Sequence, residues 1–221
     1  MNVNLKETPD ELKTPEMCLE AVKQDGLALR YVPKPLMTEA LCLAAVRDNL
    51  WAFDFIPEEL KTEAICLSAV QIDGLLLQDV PETFITEALC LEAVKSDGQA
   101  LEFVPYELRT EAICLAAVRQ DGYALIYVPR KMETEEICLT AVQLDGFLLE
   151  YMSKRKAAKK EAIYLAAVQQ AGRALKCVPK EMRTEAVCLA AVQQDSSALE
   201  FVPEELTTNI SEQVTKKGAA L

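Results

Sequence analysis

Thr110-Glu-Ala-Ile-Cys-Leu-Ala-Ala-Val-Arg-Gln-Asp-Gly-Tyr-Ala-Leu-Ile-Tyr-Val-Pro-Arg-Lys-Met-Glu133 decides the fold, because its frame returns along nearly the whole chain. The frame begins at Thr14, Thr38, Thr62, Thr86, Thr110 and Thr134, 24 residues apart, then slips by two residues and resumes at Lys160 and Thr184. A period of this length marks a solenoid, in which each unit buries its apolar face only against its neighbours. The expected fold is all-α, a helical-repeat superhelix whose units each hold a longer helix and a short helical or 3₁₀ turn. As domains, residues 1–13 read as an N-terminal half repeat, 14–207 as eight repeats with a two-residue insertion near 153–160, and 208–221 as a C-terminal cap helix.

The longer helix is legible residue by residue. Leucine recurs from Leu19 to Leu189, valine from Val22 to Val192, and between them alanine stands without exception from Ala21 to Ala191. Ile-Cys-Leu-x-Ala-Val covers more than one face of a helix, as suits a helix flanked on both sides by copies of itself. The invariant alanine marks where those copies approach most closely. Threonine precedes the helix in seven of eight repeats as an N-cap. Pro15 or a glutamate follows, matched to the first turn by fixed φ or by the helix dipole. Asp-Gly closes the helix, with glycine expected for its tolerance of positive φ. An aspartate is unfavourable at a helix C-terminus, so the Asp row is expected to cap the next short helical segment instead. The prolines from Pro33 to Pro203 then stop that segment.

Composition excludes more than it proposes. The net charge is −12, yet seven first-turn glutamates and six aspartates at the Asp-Gly position are structural, leaving 22 acids against 23 basic residues. No basic face dominates, so nucleic acid is not an expected partner. The chain has no uninterrupted apolar run of spanning length and no signal-peptide core at Met1–Glu7, so no membrane is expected. The expected compartment is the cytoplasm, or export by a route not legible here, in either case a reducing setting. Of eight cysteines, seven occupy one repeat position, from Cys18 to Cys188. Stacked helices stand about 8–10 Å apart, beyond the roughly 7 Å limit for bridging Cα atoms. With no histidine and no Cys-x-x-Cys there is no common zinc pattern, and the cysteines read as small buried hydrophobes. A Ser-His or Cys-His mechanism lacks its base, and glycine-rich phosphate loops are missing. No catalytic residue, metal or cofactor is expected.

The residues that remain are those facing solvent. After the invariant valine come Lys23, Arg47, Gln71, Lys95, Arg119, Gln143, Gln169 and Gln193, always a long side chain with N–H donors. Beside them stand mostly alanines. Such a row reads either as a ladder gripping the carbonyls or carboxylates of an extended peptide, or as a solvated stripe. A second row, after Asp-Gly, carries Trp51, Tyr123 and Phe147. These are either interface anchors or packing over the next repeat. The insertion contributes Lys154, Arg155, Lys156, Lys159 and Lys160 where the proline and the threonine cap are lost. It reads as a tolerated surface loop, a basic contact for an anionic partner, or a hinge.

Residues 111–129, Glu-Ala-Ile-Cys-Leu-Ala-Ala-Val-Arg-Gln-Asp-Gly-Tyr-Ala-Leu-Ile-Tyr-Val-Pro, resemble the units of a bacterial tandem-repeat family catalogued as domain of unknown function 4116. The resemblance implies a bacterial protein, host association being one setting it suggests, and carries no activity to transfer. More distantly, Thr14-Pro15-Glu16 with Leu19, Asp25 and Arg30 is similar to the leucine-rich repeat variant. That likeness implies alternating α- and 3₁₀-helices in a right-handed superhelix. Together these readings make the chain a non-enzymatic protein- or peptide-binding scaffold. The alternative is a structural spacer or self-assembly arm of a larger, host-directed bacterial protein.

Overall fold

A computed structural model describes residues 4–152 and 160–218, which fall into two compact units, Met1–Leu108 and Arg109–Leu221. The first unit holds α1 (Pro15–Gln24), α2 (Glu39–Asp48), α3 (Glu63–Ile72) and α4 (Glu87–Ser96), each packed on the next. The second holds α5 (Glu111–Gln120), α6 (Glu135–Leu144), α7 (Leu149–Met152), α8 (Glu161–Gln170), α9 (Glu185–Gln194) and α10 (Glu204–Gly218). No strand occurs among the described residues. Behind the α-helices runs a second layer of 3₁₀ segments such as Gly26–Tyr31 and Gly74–Asp79, and a three-residue 3₁₀ turn follows most of the prolines, as at Lys34–Leu36.

The capping chemistry follows the sequence closely. Seven threonine side chains, from Thr14 to Thr184, accept the backbone N–H three residues on. Lys160 heads α8 without a side-chain cap. Asp25, Asp73, Asp97, Asp121, Asp145 and Asp195 each accept the N–H two residues ahead, capping the 3₁₀ segment, and Asn49 does the same in the second repeat. Ala171 leaves the seventh repeat uncapped at this point. In the sixth repeat, where Ser153 replaces the proline, the 3₁₀ segment passes into the α-helical turn α7. Nothing there forces the preceding residue out of the α region.

The glycines serve another purpose than expected. No described glycine has positive φ. They are instead points of contact: a Cβ on Gly26 would lie 2.5 Å from the carbonyl oxygen of Ala45, and one on Gly74 2.2 Å from that of Ala93. Gly146 and Gly172 meet Ala167 and Ala191 in the same way. At these junctions the repeat presses its glycine against the invariant alanine of the following helix, which explains both rows at once. Leu50 holds the glycine position in the second repeat and is half-buried, so the closeness belongs to individual junctions.

The core consists of the Cys, Ala and Val rows of the α-helices with the leucines of the 3₁₀ layer. Ala45, Val46, Cys66, Val70, Leu101, Leu125 and Leu175 are all fully enclosed. Burying one such leucine or valine contributes roughly 1.5–3 kcal/mol. The terminal helix starts at Glu204 rather than at 208. Thr208, in the cap register, lies inside this helix, and Glu204 and Glu205 complement the dipole of its first turn.

Candidate functional site

Many polar rows are occupied in holding one repeat to the next. First-turn glutamates accept from the repeat that follows: Thr62 Oγ1 donates to Glu39 at 2.5 Å and Thr184 Oγ1 to Glu161 at 2.8 Å. The last residue of the α-helix, in the register just ahead of the Asp-Gly position, reaches backward in three repeats that lack Asp-Gly itself. Gln170 accepts from Gly146 N at 2.8 Å and donates to the Leu144 carbonyl at 3.2 Å, and Gln194 repeats the pattern on Gly172 and Gln170. Asp48 accepts from Gly26 N at 2.7 Å. A third row, immediately before the threonine cap, donates a cation to the second layer. Lys13, Lys61, Arg109 and Arg183 bond the carbonyls of Tyr31, Asp79, Tyr127 and Phe201. Sequence reasoning missed these ties because the partners lie 18 to 26 residues apart. The recurring basic residue before threonine was the available signal.

The donor row faces solvent in both units. Lys23, Arg47, Gln71 and Lys95 are exposed in the first, and Arg119, Gln143, Gln169 and Gln193 in the second. Half-buried leucines, among them Leu43, Leu67, Leu165 and Leu189, flank it, with Ala40, Ala64, Ala162 and Ala186 exposed alongside. Two acids stand within this row of bases. Glu92 takes Lys95 at 2.8 Å and Gln71 at 3.3 Å, and these hydrogen bonds hold its carboxyl below the usual range. Glu136 pairs with Arg119 at 2.8 Å. Lys23 and Arg47 make no hydrogen bond or ion pair with a described residue.

The aromatic row divides. Trp51 is 72% exposed with no ring contact among the described residues. Tyr123 packs edge-on against Tyr151 and donates its hydroxyl to Asp145 at 3.0 Å, a bond that, with the aspartate's charge, raises the phenol's pKa. Lys176 lies over the Phe147 ring, 5.0 Å from its centroid. Of the basic insertion, Lys154, Arg155, Lys156 and Lys159 lie outside the described residues, as does the loop or hinge they would form. Lys160 is exposed and pairs with Glu135.

Seven cysteines are buried and Cys177 is half-buried. Desolvation pushes the Cys90 and Cys114 thiols up to about 11, against nucleophilic use. Among the described residues no three His, Cys, Asp or Glu side chains converge to hold a metal, and no helix is long and apolar enough to cross a membrane.

Repeated α-helices backed by 3₁₀ segments, with ties between successive repeats inside each unit, define an all-α helical-repeat protein. The chain belongs to the family described as Domain of unknown function (DUF4116), whose model matches residues 62–109, 86–133 and 161–207 in tandem. No curated protein and no solved structure matches it significantly.

Proposed function

We propose that the chain is a non-enzymatic scaffold that binds an extended, acid-bearing peptide or protein segment along the donor row. One observation carries this reading: all eight donor side chains are exposed, four in each unit, seven of them beside a half-buried leucine, while the neighbouring polar rows are committed to inter-repeat bonds. Helices stacked about 8–10 Å apart match an extended chain rising about 3.3 Å per residue, giving one donor for about every three partner residues. Arg47, without an ion pair and beside Ala40 and Ala44, is the strongest single anchor for a carboxylate. The setting this fits is a reducing bacterial cytoplasm.

The spacer or self-assembly reading draws support from a different observation. Glu92 and Glu136 neutralise Lys95 and Arg119 from within the protein, leaving fewer charges for a partner. Panning a random peptide library on the full chain separates the two. The scaffold enriches extended acidic sequences, and a variant with Arg47, Lys95 and Arg119 all changed to alanine loses them. Enrichment of nothing, or of the same peptides by both proteins, leaves the spacer.

A further inference from the structure

The row of cations before the threonine caps is incomplete, and one gap is a groove. Arg183 shows what fills the position. Its guanidinium donates to three carbonyls, Val178 at 2.9 Å, Phe201 at 2.7 Å and Lys176 at 3.2 Å. Lys13, Lys61 and Arg109 make the equivalent bond to the following repeat. Met37, Ile85 and Glu133 occupy the same register without a cation. At the Met37 junction the nearby Arg30 guanidinium stands over the Tyr31 and Phe55 rings.

At Ile85 the chain supplies no such group. The residues equivalent to Lys176, Val178 and Phe201 are Gln78, Val80 and Phe103. With Leu77, Glu82 and Ile85 they line a groove of roughly 540 Å³. None of the Gln78, Val80 and Phe103 carbonyls accepts a hydrogen bond from a described residue. Pro81 stands three residues after Gln78 and has no N–H, so the Gln78 carbonyl has no 3₁₀ donor of its own chain.

We propose that this groove receives an arginine side chain from a protein partner, which takes the place Arg183 holds in its own repeat. Leu77 and Ile85 cover the aliphatic stem, the three carbonyls accept from the planar guanidinium, and Glu82 at the rim supplies the opposite charge. The site is independent of the donor row and selects the opposite charge in its partner. It therefore lets the chain read charged segments of both signs.

The test uses isotope-labelled full-length chain and acetyl-arginine methylamide at millimolar concentration, followed by amide chemical shifts. The amides of Asp79 and Val104, which follow two of the accepting carbonyls, are expected to move and saturate. The uncharged acetyl-citrulline methylamide should leave them at least tenfold less sensitive. In Ile85→Arg the chain's own guanidinium fills the cradle, so Asp79 and Val104 shift without ligand and the response is lost. Arg109 and Arg183 show that the repeat accepts this side chain; Ile85→Lys, which copies the arrangement at Lys61, is the second variant should the first unfold. Glu82→Gln should weaken binding several-fold, while the triple donor-row variant should bind as the parent does. Equal response to citrulline, retention of binding in the filled variants, or shifts spread along the glutamate rows without Asp79 and Val104 would overturn the proposal. So would free L-arginine binding tenfold tighter than the capped form, since that describes an amino-acid site and not a docking site.

Discussion

The seam between repeats and the exposed stripe beside it are built from the same 24-residue unit and obey opposite rules. In the seam, Gly26 and Gly74 press on Ala45 and Ala93, and the Ala, Val and Cys rows barely vary. On the stripe, Trp51, Tyr123, Phe147 and Arg173 occupy one register position. The invariance follows from stacking: a seam residue must suit its own helix and its neighbour's, so a change is felt twice. A stripe residue is less constrained: Tyr123 and Arg173 meet Asp145 and Glu200 through exposed polar tips, and Trp51 makes no ring contact with a described residue. Repetition along this chain therefore reads as packing, and departures from it are where a specific job can lie.

The sharpest way to break that contrast is Gly74→Ala. Its Cβ would sit 2.2 Å from the Ala93 carbonyl oxygen, and backbone cannot swing aside. The expected cost is about 3 kcal/mol, read as a lowered urea midpoint with unchanged slope. Gly122→Ala is the control, because its nearest obstacle is Leu148 Cδ1 at 2.7 Å, the end of a flexible side chain. There the clash and the roughly 0.4–1 kcal/mol gained by restricting the unfolded chain nearly cancel. Equal losses at both sites would mean that glycine acts through backbone freedom and not through contact.

A smaller effect is expected at the caps. Asp73→Ala removes the acceptor for Leu75 N and should cost about 0.5–2 kcal/mol in the same assay. Repeat seven offers the converse, since Ala171 stands where the aspartate belongs. Ala171→Asp should raise stability by about 1 kcal/mol. No gain there would mean that the aspartate cap adds little in a repeat whose α-helix, headed by Lys160, also lacks a side-chain cap.

Periodicity and capping residues gave away most of the fold, because both are local: Thr14 answers to Met17, and Asp25 to Leu27. The reason for the glycines is not local: the collision involves a helix from the next repeat, which no sequence window contains. The donor row was found, as its exposure follows from helical spacing alone. That Glu92 and Glu136 share its face is equally within reach of the spacing, since they are the acids that interrupt the alanine rows beside it. The cation ties and the groove at Ile85 required the second layer of the fold, where Ile85 and Phe103 meet.

The seam also predicts a pH response. Burial raises the thiol pKa values of Cys90 and Cys114 from about 9 to about 11. Between those values the folded protein holds protons that the unfolded chain has released. Stability from these groups is therefore complete below about pH 9 and declines as pH rises towards 11. A thiol reagent at pH 8 should react slowly with the native chain and find eight free thiols after denaturation. Fast native reaction of more than Cys177, the half-buried one, would contradict a closed seam.

The donor row should respond least in stability and most in binding. Replacing Arg47, Lys95 and Arg119 together by alanine removes three exposed side chains. Surface changes of this kind stay within about ±0.5 kcal/mol each. The Lys95–Glu92 and Arg119–Glu136 pairs are solvent-screened, so their loss adds little, although it frees two carboxylates on the face. The variant should melt close to the parent while an acidic extended peptide selected on the parent loses at least tenfold in affinity, the more so at low salt. Because the freed Glu92 and Glu136 would repel that peptide, a second variant carrying Glu92→Gln and Glu136→Gln isolates the donors. It should bind the peptide more tightly than the parent. Weaker binding by that variant would show that the acids, and not the bases, face the partner, and the row would revert to a solvated edge of the same seam.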